Sequence, residues 1–242
     1  MVIAGIENTL TTFVAVSATL AAVMGIIGLE RFFHDKLKDL FSDKHYFIFF
    51  FLTMGYIFYS LGEVSLYLTS VVLESESFPG ISDLYWVGGG ILIFISFLAL
   101  AWQLLRSNPG KVMVFCFSSL IIVAVVVIIL FAVTLGPDQH FLYYFYPIMS
   151  SLIVSCGLST LFFFSQLGAF RMSLTLFFIG SSLILIGDVF YTSVLASQGY
   201  GLPGLIADLA YLAGYFTSFV AFLALRFNFR SLLRDGERYS VK

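Results

Sequence analysis

The chain has 242 residues, of which 60% are hydrophobic and 11% charged, and its mean hydropathy is +1.01. Soluble domains hold roughly 45–50% apolar and about 25% charged residues, so a water-soluble globule is excluded. Spans of about 20 residues joined by short loops fill this length with about seven helices and leave no separate soluble domain. The net charge of −2 says less than the placement of the basic residues relative to those spans.

Apolar runs predict spans near 11–29, 46–73, 84–105, 112–135, 141–167, 172–196 and 204–227. The first run is expected to stay in the mature chain, because no Lys or Arg precedes Arg31 and a secretory leader opens on basic residues. Pro79, Pro109, Pro137 and Pro203 fall between runs, and only Pro147 lies inside one, near its outer end. Cys116 and Cys156 fall at different depths of successive spans, which argues against a disulfide between them.

Every Lys and Arg falls in alternate connections: Arg31, Lys36, Lys38 and Lys44, then Arg106 and Lys111, then Arg171, then Arg226 onward. The other connections carry Glu7, Glu74, Glu76 and Asp138 instead. The positive-inside rule therefore predicts an outer N-terminus and a cytoplasmic C-terminus in a multi-pass protein of the cell membrane.

Residues 31–45 place Phe33, Leu37, Leu40 and Phe41 at helical spacing, predicting an amphipathic helix in the inner headgroup layer or a docking site for a partner. Arg226, Arg230 and Arg234 recur every four residues past the last span, where anionic lipid attracts them.

A shift of 125 positions brings Gly55, Gly62, Glu63, Asp83, Leu84, Gly89 and Phe97 onto Gly180, Gly187, Asp188, Asp208, Leu209, Gly214 and Phe222. The fold expected is all-α: seven transmembrane helices in a parallel three-one-three duplication. Repeat one covers about 11–105, a linker helix 112–135 and repeat two 141–227, ahead of a basic tail at 228–242. Ala15, Ala18, Ala22 and Gly25 in the first span, and Ser151, Ser155 and Ser159 in the fifth, suit close packing. The fourth span, rich in Val and Ile, suits a lipid-facing position.

Glu63 and Asp188 are the intramembrane acids, at matching places in spans two and six. An acid at mid-span costs roughly 2.5–3.5 kcal/mol, so it normally faces the protein and finds a partner. All basic side chains lie at the other end of the spans, leaving a proton, hydroxyl donors, water or a bound cation to meet the acids. Tyr59 and Tyr67 lie one turn either side of Glu63, and Tyr191 and Thr192 one turn beyond Asp188. The network is expected either to cement the two halves or to form a ligand, proton or cation site. Asp83 and Asp208 are expected to open spans three and seven, as helix caps or at the mouth of such a site. Tyr85, Trp86, Tyr211 and Tyr215 follow them, as interfacial anchors or pocket walls.

His34, His45 and His140 lie in loops or at span ends, which gives no support for intramembrane haem. No HExxH, GxSxG or Walker pattern occurs, and Ile186-Gly187-Asp188 lacks the first glycine of the GxGD protease pattern. An enzyme is not expected, no cofactor or nucleic-acid partner is implied, and no metal site is assigned.

The Pro-Gly turn, Asp-Leu pair and aromatic-then-Gly pattern at 79–88 and 203–214 resemble the seven-helix input modules of bacterial and archaeal sensors. That resemblance implies ligand sensing within the bundle and, in a chain ending at Lys242 without an output domain, a separate cytoplasmic signalling partner. The three-one-three arrangement is also similar to SWEET-type transporters and microbial rhodopsins. The Pro-Gln signature of the former and the last-span lysine of the latter are absent. The expectation is a receptor-like sensor with an outward acidic and aromatic pocket built on Glu63, Asp188, Asp83, Asp208, Tyr59, Tyr67, Tyr191 and Tyr211. The alternative is a small-solute or cation transporter, which needs a polar route through to the cytoplasmic side.

Overall fold

The apolar runs form helices in a computed structural model that describes residues 2–33, 40–75, 78–106, 109–134, 141–163, 170–197 and 200–240. Side chains at 2–4, 32–33, 104, 109, 133–134, 163, 170, 195–197 and 228–240 fall outside that description. The helices are α1 (Val2–Phe33), α2 (Lys44–Leu66), α3 (Ile81–Arg106), α4 (Val112–Thr134), α5 (Leu142–Phe163), α6 (Phe170–Ser197) and α7 (Gly201–Ser240). All 7 are long and apolar enough to cross a bilayer.

Helix ends depart from the hydropathy edges for local reasons. In α1 the hydroxyls of Thr9, Thr11 and Thr12 donate to the carbonyls of Gly5, Glu7 and Asn8, so polar residues continue the helix ahead of the apolar run. Asp43 stands in extended backbone before α2 and accepts from the amides of His45 and Tyr46. That cap, with a turn at 40–42, overturns the expected amphipathic helix running through to His45. The rest of it, 34–39, lies outside the described residues. Beyond Leu66 the helix widens into a π-helical turn, Tyr67–Val72, and ends at Glu74 with φ 48°.

Six helices close a ring in the order α1, α2, α3, α5, α6, α7 and back to α1. Helix α4 packs outside it against α5 and α6. Its position has a simple cause: α3 and α5 are parallel neighbours, and parallel neighbours need a crossing segment between them. Met113, Leu120 and Ile128 of α4 are 75%, 68% and 67% exposed, a surface suited to lipid.

Two glycine crossings hold the tightest pairs. A Cβ on Gly55 of α2 would lie 2.4 Å from Ile93 Cγ1 and 3.0 Å from the Gly89 carbonyl of α3. A Cβ on Gly180 of α6 would lie 2.6 Å from Ser218 Oγ and 3.0 Å from the Gly214 carbonyl of α7. Only glycine permits such backbone approach. Near the end of the ring carrying Arg31, Lys44, Arg106 and Arg171, buried Phe49, Tyr56, Phe177 and Phe222 pack edge to face or tilted, with Phe177 and Phe222 centroids 4.8 Å apart.

Candidate functional site

The opposite end of the ring holds a cavity with a water-accessible volume of about 50 Å³, to which all six ring helices contribute. From α2 come Tyr59, Glu63 and Leu66, from α6 Ile184, Asp188 and Tyr191, and from α7 Asp208, Tyr211 and Tyr215. Thr11 and Val14 of α1, Trp86 and Gly90 of α3, and Phe145, Tyr146, Met149 and Ser150 of α5 complete the wall. No Lys, Arg or His is among these lining residues.

The two intramembrane acids owe their setting to the glycine before each. A Cβ on Gly62 would fall 2.5 Å from Trp86 Nε1, and one on Gly187 would fall 2.6 Å from Tyr211 Cε1. Each glycine thus leaves room for a ring from the next helix where a Cβ would stand, beside the following acid. Tyr211 uses this to donate to Asp188 Oδ1 at 2.8 Å. Trp86 Nε1, in the corresponding place beside Glu63, is buried without a hydrogen bond among the described residues. Glu63 instead accepts from Tyr215 of α7 at 2.8 Å. Asp188 takes a second bond from Ser150 of α5, so these two acids tie together α2, α5, α6 and α7. Glu63 is 4% and Asp188 8% exposed, so their charge must be met inside the protein.

No family model matches the chain, and neither a curated protein nor a solved structure matches it. The site is therefore read from its own chemistry.

Six of the eight candidates singled out from the sequence meet in the cavity: Glu63, Asp188, Asp208, Tyr59, Tyr191 and Tyr211. Asp83 stands behind the wall, where Oδ1 accepts from the Tyr146 hydroxyl at 2.5 Å and Oδ2 from the Gly80 amide at 2.6 Å. The second bond is the reaching-back half of a capping box, so Asp83 caps α3 as expected. Asp208 does not open its helix. Helix α7 already begins at Gly201, and the Asp208 carboxylate accepts from the hydroxyl of Tyr200, the residue preceding it. Tyr67 is not among the lining residues, although it lies one turn beyond Glu63; it opens the π-helical turn, Tyr67–Val72, that follows α2.

Sequence reasoning missed the contribution of α5. It singled out Ser151, Ser155 and Ser159 as a packing face, and all three are buried, with Ser151 and Ser155 donating to their own helix's carbonyls. The neighbouring face, with Tyr146 and Ser150 one turn apart, reaches the acids. That four-residue spacing was the available signal. Beneath the cavity a smaller void lies between Tyr56, Tyr59, Ser150, Ser181 and Ile184, and the Tyr56 hydroxyl pairs with Ser218 Oγ at 2.6 Å. The aromatic cluster of Phe49, Phe177 and Phe222 follows.

Proposed function

We propose that this multi-pass membrane protein is a receptor-like sensor of the cell membrane that takes a small solute from outside into the central cavity, by binding rather than catalysis. The observation that carries this is an aromatic, acid-lined cavity at the end of the ring without Lys or Arg, backed by a buried aromatic cluster toward the basic end. An outer N-terminus and cytoplasmic C-terminus are part of the reading, supported by the basic residues at one end. So is a three-one-three duplication with α4 as linker. It is supported by the recurrence, 125 positions apart, of the Gly55–Gly89 and Gly180–Gly214 crossings and of the Gly62–Trp86 and Gly187–Tyr211 contacts. Helix α7 contributes Asp208, Tyr211 and Tyr215 to the cavity and continues past Phe227 to Ser240, which gives a cytoplasmic signalling partner an element to read.

A transporter is the second reading, favoured by the smaller void between Tyr56 and Ser181 below the main cavity. The experiment screens small solutes for saturable thermal stabilisation of the full chain in lipid nanodiscs. Hits are then followed in proteoliposomes for flux. Binding without flux, lost in Glu63→Gln and Asp188→Asn, is the expected result; flux of a hit establishes transport, and parent-like binding in both variants removes the acids from the site.

A further inference from the structure

Resting on the reading of the cavity as the ligand site, we propose that its ligand is a small organic ammonium ion held by carboxylates within an aromatic cage. Three acids, Glu63, Asp188 and Asp208, line one cavity that no Lys, Arg or His lines, so a cation entering it meets carboxylates and no competing positive charge. Those acids come from three different helices, α2, α6 and α7. Among the described residues no three His, Cys, Asp or Glu side chains come together closely enough to hold a metal ion. Hard metal ions ask for six or more oxygens converging at about 2.0–2.6 Å, and the surface between the acids is instead aromatic.

Tyr191 stands with its ring 6.4 Å from both Trp86 and Tyr211, in edge-on arrangements, and Tyr59 and Tyr215 make a similar pair at 6.0 Å. Rings set at steep angles around one space offer both faces and hydroxyl edges, the surroundings that attract an alkylated cation with weak hydration. Met149 adds a polarizable wall opposite Gly90. Size sets the class further. A water-accessible volume of about 50 Å³ holds roughly three to five waters, which matches a cation of about five non-hydrogen atoms.

The test uses the full chain in nanodiscs at constant ionic strength, with thermal midpoints recorded against tetramethylammonium, methylammonium, the neutral near-isostere tert-butanol, acetate, sodium, potassium and calcium. Saturable stabilisation by the two ammonium ions and none by tert-butanol or acetate is the expected pattern. Glu63→Gln and Asp188→Asn are expected to weaken it by between about tenfold and a few hundredfold, as one charge acting across a few ångströms at intermediate dielectric requires. Tyr191→Leu should weaken it about 2- to 30-fold, and Tyr191→Phe, which keeps the ring face, by less than about twofold. If Glu63→Gln does not fold, Asp188→Asn and the Tyr191 pair decide the matter.

Saturable binding of tert-butanol or acetate in place of the ammonium ions overturns the ligand class while leaving the cavity as a site. Binding of an inorganic cation alone, indifferent to Tyr191→Leu, overturns it in favour of a metal. Ammonium stabilisation that survives Gly90→Leu, whose side chain would enter the cavity beside Met149 and the Tyr59 hydroxyl, puts the site elsewhere, and both readings fall. Stabilisation by none of these solutes also overturns the ammonium class, and only a hit from a wider solute screen then retains the cavity.

Discussion

Replacing Gly55 by alanine tests whether the α2–α3 crossing holds the ring together. The new methyl carbon would stand 2.4 Å from Ile93 Cγ1 and 3.0 Å from both the Gly89 carbonyl and the Ile93 amide. Ordinary contact begins near 3.4 Å, so the Ile93 side chain must move by about 1 Å, at about 0.5–1.5 kcal/mol for an off-rotamer torsion. The backbone atoms have no rotamer to change, and overpacking of this kind typically costs about 1–3 kcal/mol. Alanine's better helix propensity offsets about 1 kcal/mol, leaving a net loss of about 0–2 kcal/mol, or about 1–3 kcal/mol relative to a glycine-to-alanine change that meets no neighbour. For a chain of this size that deficit lowers the thermal midpoint by about 2–12 °C relative to such a control. Gly5→Ala is the control, because nothing lies within 4 Å of its built Cβ and only the propensity gain applies. Combined with Ile93→Ala, which by itself costs about 2–5 kcal/mol as a buried large-to-small change, the two losses should total less than their sum, since the second removes the side chain that the new methyl meets. Midpoints measured in nanodiscs decide it: a Gly55→Ala protein as stable as Gly5→Ala refutes the close approach.

Two further outcomes follow from the ends of the ring. Tyr200 lies outside the spans, and its phenol is held well above the ordinary tyrosine range by burial first, then by its hydrogen bond to Asp208 and the charges of Asp208 and Glu7. Because the folded-state value is the raised one, this contribution to stability is complete below about pH 10 and is lost as pH rises above it. In a difference titration of parent against Tyr200→Phe, Asp208→Asn should bring the phenol back toward the ordinary range; an unchanged titration rejects the pairing. For orientation, single cysteines at Glu74 and Lys44, both exposed, are introduced into a variant lacking Cys116 and Cys156. An impermeant reagent on intact cells should label Glu74→Cys and spare Lys44→Cys, and the reverse pattern inverts the topology.

Much of the architecture was legible in the sequence because a bilayer imposes one-dimensional rules. A span needs an uninterrupted apolar run, which located all seven helices, and an acid inside one is costly enough to be noticed, which singled out Glu63 and Asp188. Helix ends were less legible, since backbone hydrogen bonding does not stop where hydropathy does. Thr9, Thr11 and Thr12 satisfy their hydroxyls within α1, and Asp43 breaks an expected helix by capping the next one. Which helix neighbours which was a matter of tertiary structure alone. Lipid is equally good company for any apolar face, so the ring order comes from small-residue fit at Gly55–Gly89 and Gly180–Gly214 and from polar bonds between helices distant in sequence. That order gave Glu63 its Tyr215 and Asp188 its Ser150 and Tyr211, and set Asp83 behind Tyr146. A single sequence states that a buried acid needs partners; only the packing of six helices around one space determines which side chains supply them.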